Sequence, residues 1–210
     1  MTTAAAIRRA FTDRHADRAA AAFSPTGPGI AARGDQDGNQ GFEMPSAVRD
    51  AAVLVPLVNR PDGITVLLTQ RTAHLAAHGG QISFPGGRVE PEDTDAVATA
   101  LRETTEEVGL SATQVEVVGR LDTYYTRTGF RVVPVVGLVN PPFFLQPDPR
   151  EVQEVFEVPL SFILDPASRQ RQSREFKGAQ RHFWVFPYAE RYIWGATAGM
   201  LVNLCDVLGV

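Results

Sequence analysis

The sequence predicts an α/β sandwich, a mixed central sheet with helices on its faces. Three observations lead there. The chain has 210 residues of which 44% are hydrophobic, enough for one substantial core. Runs rich in β-branched residues stand both before and after one amphipathic helical stretch near the middle. No internal repeat divides the chain.

The elements follow in order. Residues 1–22, rich in alanine and arginine, predict a helix, and 24–44, rich in Gly, Pro and Asp, a flexible connector. The division expected is therefore an N-terminal arm over 1–44 and a main domain over 45–210. The run 51–59 predicts a strand, turned by Pro61-Asp62-Gly63 into a second over 64–70. A Gly-rich segment over 79–87 leads into a helix over 95–108, with Asp93 and Thr94 as cap candidates and Gly109 as its stop. Strands are expected over 115–125 and 131–139, joined by Arg127-Thr128-Gly129, and over 155–158. A short helix over 160–164, an aromatic strand over 181–187 and a closing helix over 196–208 complete the reading. Met200, Leu201, Leu204, Cys205 and Leu208 make that last helix a packing element, or else a contact between two copies, so a monomer or homodimer is expected.

Composition excludes several classes. A formal net charge of -4 supplies no broad positive field, so nucleic acid is not an expected partner and any anionic ligand must be held locally. With Cys205 alone, no internal disulfide and no cysteine zinc cluster can form. The first residues lack the apolar run of a signal peptide, no stretch has the ~18 apolar residues of a membrane helix, and the final Leu-Gly-Val is no peroxisomal address. A cytoplasmic protein without membrane partners is the expectation.

The helix over 95–108 carries the chemistry. At about 100° per residue, Val97, Ala100, Leu101, Thr104 and Val108 form the stripe expected to be buried, and the opposite side is acidic. Glu103 and Glu107 stack one turn apart with Glu106 beside them. Like charges at this spacing repel, and the helix dipole disfavours them in this half. A hard divalent cation such as Mg²⁺ or Mn²⁺ would offset that cost, since it takes oxygen ligands and keeps waters and phosphate oxygens in its shell. Arg102, four residues from Glu106, is the basic neighbour. Phe84-Pro85-Gly86-Gly87 precede the helix, and glycines there permit close backbone approach to a ligand.

The run Arg102-Glu103-Thr104-Thr105-Glu106-Glu107-Val108-Gly109-Leu110, preceded by Gly86-Gly87, resembles the Nudix box, G-x5-E-x7-R-E-U-x-E-E-x-G-U with U apolar. Thr104 stands at an apolar position, Asp93 replaces the first Glu, and the next spacer holds one residue more than the pattern. Upstream, Leu67-Leu68-Thr69-Gln70-Arg71-Thr72, Gly80 and Phe84 to Gly87 resemble the second signature of the coenzyme A pyrophosphatase branch, with Thr72 for Ser and Ala76 for Arg. Similarity to that branch extends through Glu154-Val155-Phe156-Glu157-Val158-Pro159-Leu160 to Trp194-Gly195-Ala196-Thr197-Ala198-Gly199.

The resemblance implies a Nudix α/β/α sandwich over 45–210 and metal-dependent hydrolysis of a pyrophosphate bond in coenzyme A or its acyl derivatives. The products would be 3′,5′-ADP and a 4′-phosphopantetheine compound. It implies Glu103, Glu106 and Glu107 as ligands to Mg²⁺ or Mn²⁺, with the Gly86 carbonyl as a further one. A general base would come from the box, Glu103 or Glu106, or from a later loop, Glu151 or Glu154. Arg71, Gly86 and Gly87 would bind substrate phosphate. His78 contacts substrate or caps the loop, and Tyr124, Tyr125, Phe183, Trp184, Phe186, Tyr188, Tyr192 and Trp194 either stack an adenine or fill core. Two other readings stand beside this one: a pyrophosphatase for ADP-ribose, a dinucleotide or a nucleoside triphosphate, and a Nudix-fold binding module without turnover.

Overall fold

The computed structural model describes residues 2–16, 32–37, 39, 47–74, 79–176 and 178–210. Most of the expected connector, together with Ala76 and His78, lies outside the described residues. In chain order the elements are α1 (Ala4–Ala16), β1 (Ala32–Gly34), β2 (Arg49–Arg60), β3 (Gly63–Arg71), β4 (Ile82–Ser83), β5 (Gly86–Arg88), α2 (Ala96–Val108), β6 (Val115–Arg120), β7 (Thr123–Tyr125) and β8 (Phe130–Val139). They continue with β9 (Val152–Pro159), α3 (Leu160–Leu164), β10 (Gln170–Phe176), β11 (Ala179–Tyr188), β12 (Arg191–Trp194) and α4 (Gly195–Val207).

The mixed sheet is organised on β2. It runs parallel to β8 along ten paired positions, and its other edge is shared, antiparallel, by β3 near Leu57 and by β5 near Ala52. Because two partners divide that edge, the sheet is open between β3 and β5, and the Phe84-Pro85 segment passes there. β9 and β4 pair with β3, β6 and β7 with β8, and β1 runs parallel to β7. The strands β10, β11 and β12 form a separate antiparallel sheet.

Alternation along β2 loads both faces. Ala52, Leu54 and Val58 point to α2, where they meet Ala96, Ala100 and Val108. Ala51, Val55 and Leu57 point to the other side, packed with Ile7 and Phe11 of α1, Leu160 and Ile163 of α3, and Leu201 and Leu204 of α4. The expected α/β sandwich is the observed one. The described part of the arm is built into it: Ile7 and Phe11 are fully buried, and the Arg8 guanidinium donates two 2.7 Å hydrogen bonds to Glu116.

Several local expectations are corrected. Asp95, not Asp93 or Thr94, caps α2, its carboxylate accepting the Ala98 N–H at 2.9 Å. Gly109 does end the helix, at φ +73°. The strand expected over 115–125 breaks at Leu121-Asp122, where Asp122 turns inward to Asn203 and Arg33. β9 begins at Val152 rather than 155, and β1, β4, β5, β10 and β12 were not expected as strands.

Candidate active site

The acidic end of α2 faces a loop that the helix itself holds in place. Gln146 N–H donates to the Val108 carbonyl at 2.8 Å and Asp148 N–H to the Glu107 carbonyl at 2.9 Å, using carbonyls a helix end leaves open. Between helix and loop lies a cavity of about 300 Å³ lined by Glu103, Glu106, Glu107, Asp148, Arg150 and Glu151. The structure thus brings together the three box glutamates and Glu151. Asp148 and Arg150 were not foreseen; an exposed Asp-Pro-Arg turn carries no sequence pattern that separates it from an ordinary loop.

The three box glutamates differ in burial. Glu107 is only 4% exposed, so the buried arc of α2 includes one of the acids expected on the opposite side. Its carboxylate accepts the Gly86 N–H at 3.1 Å and the Arg71 guanidinium at 3.2 Å. Burial pushes its pKa up to about 7, against the opposing pull of Gly86 and Arg71 and with the help of negative Glu151 and Glu103. Glu103 is half-buried and is raised too, first by burial, while Arg102 pulls it down. Glu106 is exposed. Arg102 spans the helix flank: it donates to Asp93 at 2.9 and 3.0 Å, to Glu103 and Glu106 at 3.1 Å each, and to the Arg88 carbonyl at 3.0 Å. Asp93, at the box position normally held by Glu, therefore anchors Arg102, which holds its carboxyl well below the usual range.

Gly86 and Gly87 lie between these carboxylates and a larger cavity. Gly86 sits at φ +152°, and a side chain there would strike the backbone of Ala52 and Val53. A side chain on Gly87 would land on the Glu103 carboxylate. On the sheet face away from α2 opens a cleft of about 890 Å³ floored by Ala51, Val53, Phe130 and Val132 and walled by Phe183, Trp184 and Trp194. Gly86, Gly87 and Arg71 line it as well, and the same three residues contact the carboxylates, Gly86 and Arg71 at Glu107 and Gly87 at Glu103. Eight arginines and two aspartates line the cleft, making it strongly basic within an acidic chain.

Of the aromatic residues read as stacking or core, Tyr124, Phe183, Trp184 and Trp194 line the cleft. Phe186 is fully buried core, Tyr188 packs on Phe162 and Tyr192 is exposed. Glu154 is not brought to the carboxylate cavity. It lies on the β9 face that carries Phe156 and Val158, and its carboxylate pairs with Arg191 at 2.5 Å. Glu151, by contrast, lies 3.6 Å from Arg71.

Five carboxylates line the small cavity, the oxygen chemistry a hard divalent cation takes, and Arg150, which also lines it, is paired with Asp148 at 2.6 Å. No three such groups among the described residues are already drawn together as a ligand set. Yet a buried Glu107 raised to about 7 beside Glu103 and Glu151 is a concentration of charge that a cation would relieve, so the residues fit one.

A model of the NUDIX domain matches residues 48–190, and the chain belongs to this family. It is 41% identical over 162 residues to the uncharacterized Nudix hydrolase NudL of Escherichia coli (strain K12), covering 77% of this chain and 84% of that protein. A NudL of Photorhabdus laumondii is 40% identical and covered over 86% of its length by 77% of this chain. Among solved structures, a Caenorhabditis elegans Ap4A hydrolase binary complex is 27% identical with a TM-score of 0.46, over 53% of this chain and 80% of that one. The fold is the Nudix fold and the protein a Nudix hydrolase, a family that generally uses divalent ions such as Mg²⁺ or Mn²⁺. Among the described residues no helix is long and apolar enough to cross a membrane.

Proposed function

We propose that this Nudix hydrolase cleaves the pyrophosphate bond of coenzyme A or its acyl derivatives, releasing 3′,5′-ADP and a 4′-phosphopantetheine product. The observation that carries the reading is the arginine-rich, aromatic cleft whose lining residues Gly86, Gly87 and Arg71 also contact Glu103 and Glu107 of the carboxylate cavity. A purine nucleotide with several phosphates matches its shape and sign, with the base against Trp184 or Phe183 and the diphosphate at the open sheet edge.

Glu103, Glu107 and Glu106 hold the divalent cation in this reading, with Gly86 and Gly87 keeping the strand thin enough for the diphosphate to approach. When bound, the ion supplies charge neutralisation at the phosphoryl oxygens and a water of lowered pKa. Arg71 steadies a phosphate oxygen from the cleft side while retaining Glu107. Glu151 rather than Glu154 takes the proton, since it borders the carboxylate cavity whereas Glu154 is held by Arg191.

Ala76, where the coenzyme A signature has Arg, favours a second reading: hydrolysis of another nucleoside diphosphate derivative. The test is a panel of coenzyme A, acetyl-coenzyme A, ADP-ribose, a dinucleotide and a nucleoside triphosphate with millimolar Mg²⁺ or Mn²⁺, with products weighed by mass spectrometry. Release of 3′,5′-ADP at the highest kcat/KM supports the first reading. A preferred substrate without a pantetheine arm supports the second, and no turnover at all leaves a binding module.

A further inference from the structure

The arginines of the cleft are not equally neutralised. Arg33 pairs with Asp122 and Asp206, and Arg71 with Glu107 and Glu151. Arg49 and Arg88 have no carboxylate partner among the described residues; both lie against one ring, their guanidinium carbons 4.2 and 5.6 Å from the centroid of Phe130. Two like charges gathered on one aromatic ring repel, and the ring offsets only part of that. Register explains the gathering: Arg49 pairs with Phe130 and Arg88 with Ala51, so all four project from the same face of the sheet.

The outer sheet adds charge to the same end. Arg127, from the turn beside Phe130, lies 5.1 Å from the Phe176 ring at the tip of the β10–β11 hairpin, so the tip closes over this end of the cleft. Arg174 and Arg181 stand directly opposite one another on that hairpin, both lining the cleft. Like charges at facing positions destabilise a strand pair, and Arg174 makes no ion pair among the described residues. Of the two aspartates that line the cleft, Asp35 accepts the Tyr124 hydroxyl at 2.9 Å and the Arg127 N–H at 2.6 Å, and Asp37 accepts the Gly34 N–H at 3.1 Å.

This cluster is separate from the point of cleavage. Arg49 lies four residues along β2 from Val53, the residue opposite Gly86, which at strand rise is about 13 Å. We infer that this end of the cleft binds a phosphate monoester carried by the nucleotide half of the substrate, a group distinct from the diphosphate that is cleaved. The inference rests on reading the cleft as a nucleotide site, and it makes Arg49, Arg88 and Arg174 determinants of specificity. A dianion there gives Arg49, Arg88 and Arg174 a counter-charge that no described residue supplies.

The test compares ligands that differ only in that monoester. In the metal-free protein, calorimetric titration should show 3′,5′-ADP binding at least tenfold more tightly than 5′-AMP. In Arg49→Gln combined with Arg174→Gln the ratio should fall below threefold. The kcat/KM ratio of coenzyme A to dephospho-coenzyme A should drop in parallel. Both positions are exposed, so the circular dichroism spectrum and urea midpoint should be retained, and Arg174→Gln alone, with a smaller fall in the ratio, serves should the double variant not fold. Equal affinities in the wild type, or a ratio preserved in a folded variant, overturn the inference even where pyrophosphate is cleaved normally. If neither substrate is cleaved, the proposed function fails and the affinity ratio alone decides the subsite.

Discussion

In Glu107→Gln a buried carboxylate becomes a neutral amide of the same size. The wild-type group titrates near 7 in the fold against 4.5 outside it, because burial disfavours its charge more than Gly86 and Arg71 favour it. At ~1.4 kcal/mol per pH unit, that gap amounts to about 3 kcal/mol. The sign follows from linkage: a folded value above the unfolded one means stability present below 4.5 and lost as the pH rises through about 7. Metal-free wild type therefore carries the cost of an ionised Glu107 at pH 8, and the amide does not. The variant keeps one oxygen for the Gly86 N–H but turns its NH₂ toward Arg71, so the net gain at pH 8 is about 1–3 kcal/mol. Urea unfolding in EDTA at pH 5 and pH 8 measures it: the wild type loses stability between the two, and the variant loses that much less. Turnover should fall by about 100-fold or more, as removal of an ion ligand implies. An identical pH dependence of stability in the two proteins would refute the account of Glu107, and unchanged turnover would remove it from the site.

The two glycines should part company. Gly86→Ala, strained at φ +152° and against backbone, should cost about 1–3 kcal/mol in urea unfolding, whereas Gly87→Ala should leave stability nearly intact and cut kcat at least tenfold by displacing Glu103. Arg102→Gln strips Asp93 of its charged partner, with an expected loss of about 1–3 kcal/mol at pH 7. Asp93's depressed pKa stabilises above its ordinary 3.8 and ceases to as pH falls toward the folded value, so the loss should shrink in acid; a loss independent of pH would point to packing instead. Phe11→Ala should destabilise by about 3–5 kcal/mol, which thermal unfolding would register, since Phe11 is fully buried in the core α1 shares with α4. The Cys205 thiol, buried and pushed up to about 11, should resist a thiol reagent at pH 8 until the protein is unfolded.

What could be read from the sequence was what is local. The β2–β3 hairpin follows from alternation and a Pro-Asp-Gly turn, and α2 from its apolar period and Gly109. Its cap was misread because Asp93, Thr94 and Asp95 are adjacent and all three can cap; only the position of the Ala98 N–H decides. β10 is Gln-Arg-Gln-Ser-Arg-Glu-Phe, with no apolar alternation, because it pairs with β11 at the exposed edge of a sheet and buries little. Glu107 looked like a surface acid because helical periodicity assigns an angle, and only the neighbours of that angle, Gly86 and Arg71, make it buried.

That locality also explains why the reaction is easier to read than the substrate. Gly86, Gly87, Asp93, Arg102, Glu103 and Glu107 lie within 22 consecutive residues, so one motif holds most of the carboxylate side. The cleft draws Arg49 from β2, Phe130 from β8, Arg174 and Arg181 from the outer hairpin and Trp194 from the end of β12. No spacing rule links those positions; strand register and the docking of a second sheet bring them together. The chemistry at the open sheet edge therefore depends on one short segment, whereas the choice of leaving group depends on how the β10–β12 sheet is placed over β2 and β8. Substitutions on β10 and β11 should accordingly alter which nucleotide is accepted more than how fast a bound diphosphate is cut, and a kcat/KM comparison of Arg181→Gln across the substrate panel tests that division.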